Sequence, residues 1–295
     1  MPSERSIDCI GARGRQAPVV LAIESSTALL GVSIVAGEDV LFEESVVKPR
    51  GHSTMLLPLC LKALQTADVG AGGLSAVAVS AGPGSFTGLR IGCATAQGLA
   101  RAYHTDVILV PTFRVLLQQC AQYPLVALVQ GRAKAQTVTA LYARKPQNGP
   151  HCEKQGEGSR TAWEFAVACG YDEVVPVAAR SLEDFLACVR TASSGTVHTA
   201  GDAADLFSEC CRGGCGEASS QPDVLPIEAG RRLPSPAIVG RVASRLFREG
   251  MTVRPGEAIP RYYRKSQAET LITSRSPSRA GEGGGDGSDG SDGPN

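Results

Sequence analysis

Residues 19–35 read VVLAIESSTALLGVSIV, and this stretch decides how the chain folds. The continuous apolar run at 19–23 is typical of a buried strand. The polar turn at 24–27 ends that run, and apolar strand patterns follow over 30–35 and 40–45. Strands this close in sequence, joined by short polar turns, predict a three-stranded antiparallel meander.

The same pattern returns 106 residues later in the chain. A second apolar run, LVALV, ends at Gln130 and is followed by another strand pattern. The alignment at this shift pairs Glu24 with Gln130, Val32 with Val138, and Val35 with Leu141. Self-similarity at a fixed spacing is the sequence signature of a duplicated structural unit. We therefore predict an α/β fold of two lobes, each built from a strand meander followed by helices.

The repeat also sets the predicted domain boundaries. We assign the N-terminal lobe to residues 18–115 and a more divergent C-terminal lobe to residues 116–272. The polar extension 1–17 and the Gly/Ser/Asp-rich tail 273–295 lack the apolar residues that a packed core needs. We predict that both extensions are disordered.

The composition argues against several classes of protein. Lys plus Arg and Asp plus Glu each number 29 among 295 residues, so the formal net charge is zero. A chain that grips a nucleic-acid backbone by itself needs a positive surplus. Aromatic residues make up 5%, too few for a wide base-stacking platform. Without a secretory signal or an apolar run of about 18 residues, we expect a cytoplasmic protein with no membrane contact.

The zero net charge is an average over two unlike segments. Residues 153–228 carry 13 acids against 5 bases, and residues 231–265 carry 9 bases against 2 acids. One interpretation is that the two segments pack near each other and neutralise. The other is that the basic segment forms an edge that faces a polyanion or an acidic partner.

A Gly-rich loop, SAGPGSFTGLRIG at 80–92, joins a predicted strand to a predicted helix. Exposed N–H groups at a helix start can bind phosphate. However, the loop lacks the lysine of a Walker motif and the third glycine of a dinucleotide motif. Either the loop binds phosphate, or its glycines allow the helix to pack closely. Candidate nucleotide or phosphate contacts in this loop and in the two polar turns are Glu24, Ser25, Ser26, Thr27, Gly84, Ser85 and Arg132.

The helix after this loop carries small residues at every fourth position. Gly88, Gly92, Ala96 and Ala100 therefore share one face. Small side chains allow another helix to approach closely, and the predicted helix 55–66 is apolar on most sides. That second helix could come from the same chain or from another chain.

No catalytic constellation is evident in the sequence. Two facing turns with a carboxylate each could hold a nucleotide and Mg²⁺, but Gln130 takes the place of an acid in the second turn. The four histidines form no H-x-x-x-H pair, and the CCRGGC cluster at 210–215 lacks a fourth ligand. We predict no metal site, no catalytic residue and no cofactor of the chain's own.

Four segments resemble the TsaB (YeaZ) family, and the similarity extends over roughly 19–269. They read LAIESSTALLGVSIV, GHSTMLLPLCLKAL, AVSAGPGSFTGLRIGCATAQGLA and VRPGEAIPRYYRKSQAE. The resemblance implies the actin/hexokinase/Hsp70-like (ASKHA) fold, in agreement with the repeat.

The resemblance also implies a non-catalytic scaffold in tRNA threonylcarbamoyladenosine (t6A) biosynthesis. Members pair with a catalytic TsaD-type subunit and act with a TsaE-type ATPase. The complex, which uses ATP and Mg²⁺, modifies adenosine 37 of tRNAs decoding ANN codons, so that contact with tRNA is indirect. A homodimer of the isolated chain is also open. The implied partner interface comprises Leu56, Leu57, Gly88, Arg90, Gly92, Ala96 and Ala100.

This chain departs from the family pattern in its two turns. Glu24 replaces the usual Asp, and Gln130-Gly131-Arg132 replaces Asp-Ala-Arg. The chain also lacks the metal-binding His pair of the catalytic relative. Two alternative functions are an ATP-dependent small-molecule kinase of the same fold and a glycoprotease-like peptidase.

Overall fold

The stretch 19–35 forms the centre of a five-stranded sheet. In a computed structural model, which describes residues 17–48, 51–70, 72–131, 137–145, 170–213 and 222–263, the sheet contains β1 (Val19–Glu24), β2 (Leu29–Ala36), β3 (Asp39–Val47), β4 (Ala76–Ser80) and β5 (Asp106–Val110). The strand order is β3-β2-β1-β4-β5. The first three strands are antiparallel, which confirms the predicted meander. β4 pairs in parallel with β1 and β5.

The second sheet has the same topology. Its strands are β6 (Leu125–Gln130), β7 (Thr137–Arg144), β8 (Tyr171–Arg180), β9 (Val197–Ala200) and β10 (Val224–Pro226). Read from the other edge, their order is β8-β7-β6-β9-β10, which matches the first sheet strand for strand. β6 to β8 are antiparallel, and β9 runs parallel to β6. The predicted duplication is therefore confirmed at the level of topology.

The register of the repeat changes by one residue across the turn. β6 lies 106 residues after β1, as predicted, and Glu24 of β1 pairs with Gly31. The equivalent Gln130, however, pairs with Val138, 107 residues after Gly31. The second turn is one residue longer than the first. Val138 is therefore the counterpart of Gly31, and the predicted pairing of Val138 with Val32 is wrong by one position.

Six helices lie within the described residues. They are α1 (His52–Thr66), α2 (Phe86–Ala102), α3 (Thr112–Gln119), α4 (Leu182–Ala192), α5 (Ala204–Gly213) and α6 (Pro236–Arg248). Two single 3₁₀ turns cover Ala229–Arg231 and Pro255–Glu257. Within these ranges no helix is both long and apolar enough to cross a membrane.

Helices α1 and α2 cover one face of the first sheet. Alternate residues of the central strands point to this face, and their partners come from both helices. The shared core includes Leu21, Ile23, Val77, Val79, Leu56, Ala63, Ala96 and Leu99. The face of α2 that carries its small residues is therefore inside the lobe.

Helix α6 covers the opposite face of the first sheet, although it follows the second sheet in sequence. Its buried residues Val239 and Val242 pack with Val20 and Ala22, and Ser235 caps its first turn. Burial of this apolar face stabilises the return of the chain to the first sheet. The division of the chain into an N-terminal lobe, 18–115, and a C-terminal lobe, 116–272, stays a prediction.

We expect the replacement of Gly240 by alanine to destabilise this packing. A Cβ at this position would lie closer than 3.0 Å to the side chain of Val35 in β2. The overpacking should lower the free energy of unfolding by about 2 kcal/mol, measured by urea unfolding with circular dichroism. Gly230→Ala, where a Cβ meets open space, is the control and should change stability by less than about 0.5 kcal/mol. Equal effects of the two substitutions would contradict the packing of α6 on β2.

Candidate functional site

The first polar turn is closed by its own hydrogen bonds. Glu24, at the end of β1, is fully buried. Its Oε1 accepts hydrogen bonds from the backbone N–H of Ser26 at 2.7 Å and from the Ser26 hydroxyl at 2.6 Å. Its Oε2 accepts a short hydrogen bond from the hydroxyl of Ser80. The carboxyl group therefore ties the ends of β1 and β4 together.

Burial also changes the charge state of this carboxyl group. Desolvation raises the pKa of Glu24 from 4.5 to about 7, although the hydrogen bonds from Ser26 and Ser80 act in the opposite direction. A Mg²⁺ ligand or a general base needs an accessible, charged oxygen. Glu24 is not accessible in this conformation, and both of its carboxyl oxygens accept hydrogen bonds inside the fold, so its geometry suits a structural tie.

The Gly-rich loop packs directly on the turn. The N–H of Ser85 donates to the carbonyl oxygen of Ser26 at 2.7 Å, and a Cβ on Gly84 would lie closer than 3.0 Å to the same oxygen. Ser85 is exposed, but its hydroxyl caps α2 by accepting from the N–H of Gly88 at 3.2 Å. Of the two interpretations of this loop, the contacts favour close packing over phosphate binding.

The start of α2 makes the closest contact with the turn. The hydroxyl of Ser25 donates to the carbonyl oxygen of Gly88 at 3.0 Å. A Cβ on Gly88 would lie closer than 3.0 Å to the Ser25 carbonyl oxygen. A Cβ on Gly92 would lie closer than 3.0 Å to the Ser25 hydroxyl oxygen. Ser25, Ser26 and Thr27 are all buried. Three of the predicted phosphate contacts are therefore buried, and α2 packs on Ser25.

The second turn has a different set of groups. Gln130 is buried, and neither end of its amide has a hydrogen-bond partner among the described residues. The N–H of the next residue, Gly131, donates to Asp202 at 2.6 Å, and Arg132 lies outside the described residues. Asp202, which the sequence analysis did not select, follows β9. The sequence feature that could have identified Asp202 is its position at the carboxyl end of a strand parallel to β6, because binding sites in α/β sheets form at such strand ends.

Metal-binding clusters are not found in the part of the chain that the structure describes. No three or more His, Cys, Asp or Glu side chains in it are placed to hold an ion. Cys210 and Cys211 lie on α5 and are partly buried against the hydrophobic core that α4 and α5 form with the second sheet. Cys215 lies outside the described residues.

Five of the seven predicted interface residues are internal. They are Leu56, Gly88, Gly92, Ala96 and Ala100, all buried within the chain. This placement corrects the expectation that they touch a partner directly. The glycines and alanines allow α2 to pack on β4, on the first turn and on α1, and Leu56 of α1 packs in the same core. Leu57 and Arg90 are exposed, as an interface requires.

The outer surfaces of α1 and α2 form an exposed face. On α1, Leu57 and Leu61 are 47% and 51% exposed. Lys62, on the opposite flank of α1, forms an ion pair with Glu44 of β3 at 2.5 Å. Successive residues of an α-helix are rotated by about 100° about its axis. Because Lys62 is turned towards β3, both leucines lie on the flank of α1 next to α2. Between the leucines and the far side of α2 lie its exposed small residues, Ala94 and Gly98.

A C-terminal strap, Met251–Tyr263, borders the other side of α2. It runs antiparallel to the helix: Gln97 donates to the carbonyl oxygen of Ala258 at 2.9 Å, and Arg90 donates to the Tyr262 hydroxyl at 3.1 Å. On this strap, Ile259 is 66% exposed. We call the surface formed by Leu57, Leu61, Ala94, Gly98 and Ile259 the α1–α2 face. The position of the strap was not predicted, because no local sequence pattern indicates the element on which this segment packs.

The basic segment is partly neutralised within the chain. Arg232 pairs with Asp205 of the acidic segment at 2.5 Å, as the first interpretation predicts. Arg245 pairs instead with Glu38 of the first lobe at 3.1 Å, and Arg241 donates to the Glu38 carbonyl oxygen at 2.9 Å. The contacts of Arg232 agree with the first interpretation. The second interpretation, a basic edge that faces a polyanion or an acidic partner, stays a prediction.

Known proteins share this architecture. YeaZ from Pseudomonas aeruginosa superposes with a TM-score of 0.60 at 22% identity, over 83% of this chain and 99% of that protein. The likeness agrees with the two sheets of matching topology. The chain therefore has the fold of YeaZ, with the two α/β lobes that the sequence predicts.

Sequence comparisons find similar proteins among those of tRNA modification. A family model described as TsaD, tRNA N6-adenosine threonylcarbamoyltransferase, matches residues 46–148. The TsaB protein of Bacillus subtilis is 28% identical over 127 residues, which are 43% of this chain and 56% of that protein. The TsaB protein of Escherichia coli is 33% identical over 99 residues, 34% of this chain and 42% of that protein. The matched stretch thus spans about half the length of these relatives. The chain is thus similar in sequence to TsaB proteins and in fold to YeaZ.

We expect Glu24→Gln to flatten the pH dependence of stability. Folded Glu24 has a pKa of about 7 against 4.5 in the unfolded chain, so the folded protein holds this proton to higher pH. The stabilisation is complete below pH 4.5 and is lost as the pH rises through 7. The native chain should lose about 3 kcal/mol more than Glu24→Gln over this window, measured by urea unfolding at several pH values. Glu257→Gln, at an exposed position, should keep the native slope; a native slope in Glu24→Gln would refute the prediction.

Alanine at two glycines of α2 should have opposite effects. Gly88→Ala places a Cβ against the Ser25 carbonyl oxygen and should lower the free energy of unfolding by about 3 kcal/mol. At Gly98 a Cβ meets open space, so Gly98→Ala should raise it by up to about 1 kcal/mol because alanine favours the helix. Urea unfolding of both variants gives the comparison. A loss of stability at position 98 similar to that at 88 would show that both faces of α2 are packed.

Proposed function

We propose that this chain acts in the biosynthesis of N6-threonylcarbamoyladenosine in tRNA, as a scaffold that binds a TsaD-type catalytic subunit. The family supports the pathway, since the relatives from Bacillus subtilis and Escherichia coli are named as tRNA threonylcarbamoyladenosine biosynthesis proteins. The scaffold role is inferred from how the residues of the site are arranged.

The α1–α2 face is the observation that carries this proposal. Leu57 and Leu61 expose about half of their side chains side by side, and Ile259 exposes 66%. Between them, Ala94 and Gly98 offer a floor without large side chains. Exposed apolar side chains grouped around small residues favour close packing against another protein surface.

The first turn supports a role in binding rather than in catalysis. Both carboxyl oxygens of Glu24 are engaged inside the fold, and Gln130 stands at the equivalent position in the second lobe. A kinase of this fold would need accessible carboxylates at the two turns. The arrangement therefore favours the scaffold over the kinase alternative, and no set of described side chains favours the peptidase.

The finer parts of the proposal follow the family resemblance. The substrate is adenosine 37 of tRNAs that decode ANN codons, and a TsaE-type ATPase completes the complex in the cytoplasm. ATP and Mg²⁺ are used by those partners. Contact with tRNA is made mainly through the partner, which suits a chain of zero net charge. In isolation the same face forms a homodimer.

Leu61→Asp tests the use of this face. A carboxylate in the centre of an apolar interface must be desolvated without a partner, so the dissociation constant for the TsaD-type subunit of the same organism should rise at least about 30-fold. Isothermal titration calorimetry measures binding, and t6A formation by the reconstituted complex should fall in parallel.

Leu225→Asp is the matched control, because Leu225 is 43% exposed on the edge strand β10 of the other lobe. It should bind the partner as the native chain does. Equal affinity of Leu61→Asp and the native chain would move the interface away from α1 and α2. Failure of the native chain to bind the partner would overturn the proposed function itself.

A further inference from the structure

Arg90 is held in one orientation at the edge of the α1–α2 face. Its guanidinium carbon lies 3.9 Å from the centroid of the Phe86 ring, a cation–π distance. Its Nε donates a hydrogen bond to the Tyr262 hydroxyl at 3.1 Å. The two rings themselves lie 4.7 Å apart between centroids. Contacts on two sides therefore fix a side chain that, on an exposed helix, would otherwise sample many rotamers.

The terminal nitrogens of Arg90 have no carboxylate partner among the described residues. Other arginines in the described ranges do form ion pairs, as Arg232 does with Asp205 and Arg245 with Glu38. An exposed guanidinium with its Nε already used presents two parallel donors outwards. Because the side chain is already ordered, little conformational entropy is lost when an oxyanion binds.

The helix and the strap on either side of the Arg90 contact contain more bases than acids. Helix α2 contains Arg90 and Arg101 and no acid, while the strap contains Arg254 and Arg261 against Glu257. The one charged residue that α1 adds, Lys62, is paired with Glu44. A chain of zero net charge thus carries a local basic surplus on the surface proposed to bind a partner.

We propose that Arg90 is the charged recognition residue of this surface and that it binds the carboxylate of an Asp or Glu side chain on the catalytic partner. The inference rests on the proposed function and names the chemistry of the partner's contact. The planar fork of arginine matches a carboxylate in a bidentate arrangement. The exposed leucines on the other side of α2 favour a protein surface over a nucleic-acid backbone, whose binding sites are polar and more broadly basic.

Tyr262 is the positioning residue in this arrangement. It lies on the strap, 172 residues after Arg90, and its hydroxyl sets the direction of the guanidinium. The strap in turn is fixed on α2 and on the Gly-rich loop, where Arg261 donates its N–H to the carbonyl oxygen of Ala81 at 2.8 Å. Partner affinity should therefore depend on a residue outside both interface helices.

Calorimetric titration of the TsaD-type subunit with the full chain tests the proposal. Arg90→Ala should raise the dissociation constant about 30-fold, and Arg90→Lys, which keeps the charge and loses the fork, about tenfold. Arg248→Ala is the matched control, because Arg248 is an exposed arginine of α6 on the opposite side of the sheet. It should stay within about twofold of the native chain, in line with the small effect of most surface substitutions.

Tyr262→Phe separates positioning from general structure. It keeps the ring and removes the hydroxyl, so affinity should fall about threefold when Arg90 is present. In the Arg90→Ala background the same change should have no effect. A purely structural role would give the same loss in both backgrounds, since independent effects add.

A charge exchange identifies the partner's group. Arg90→Glu should nearly abolish binding, and an Asp→Arg or Glu→Arg variant at one site of the partner should restore it. Restoration supports the proposal. Native affinity of Arg90→Ala for the partner overturns the role of Arg90 and leaves the proposed function intact. The same conclusion follows if Arg90→Ala binds the partner normally but weakens tRNA binding by the complex. Absence of binding by the native chain instead overturns the proposed function.

Discussion

The contact between α2 and the first polar turn is the constraint on which the rest of the structure depends. The backbone of Gly88 approaches the backbone of Ser25 so closely that no side chain fits between them. This approach fixes the rotation of α2 about its axis, because only the glycine and alanine side of the helix can face the turn and β4. The opposite side, with Arg90 and Gly98, must then face outwards.

One packing arrangement therefore has two consequences for function. It packs α2 on the first turn, where Glu24 is a buried carboxyl group with a raised pKa. It also orients an exposed surface that the strap extends with Ile259 and Tyr262. An exposed apolar surface of this kind suits the proposed binding of another protein.

Much of the fold could be predicted from the sequence, because its signals are local. Apolar runs bounded by polar turns identify strands, and their return at a fixed spacing identifies the duplication. The one-residue register change at Val138 escaped prediction because it depends on a longer turn, which pattern alignment at a constant shift does not detect. The return of α6 to the first sheet was not predicted either. The pattern of an amphipathic helix shows that one face is buried but does not specify which of two sheets this face covers.

For the candidate site, the sequence by itself determined the residue types: a Gly-rich loop before a helix, a stripe of small residues, and a glutamine in the second turn. Only the tertiary structure decided which side of α2 faces inwards, and it placed Ala96 and Ala100 in the core and Leu57 and Arg90 on the surface. Periodicity defines the faces of a helix but not the partners of each face. Those partners, such as Tyr262 for Arg90, come from distant segments, and their contacts form only when the whole chain has folded.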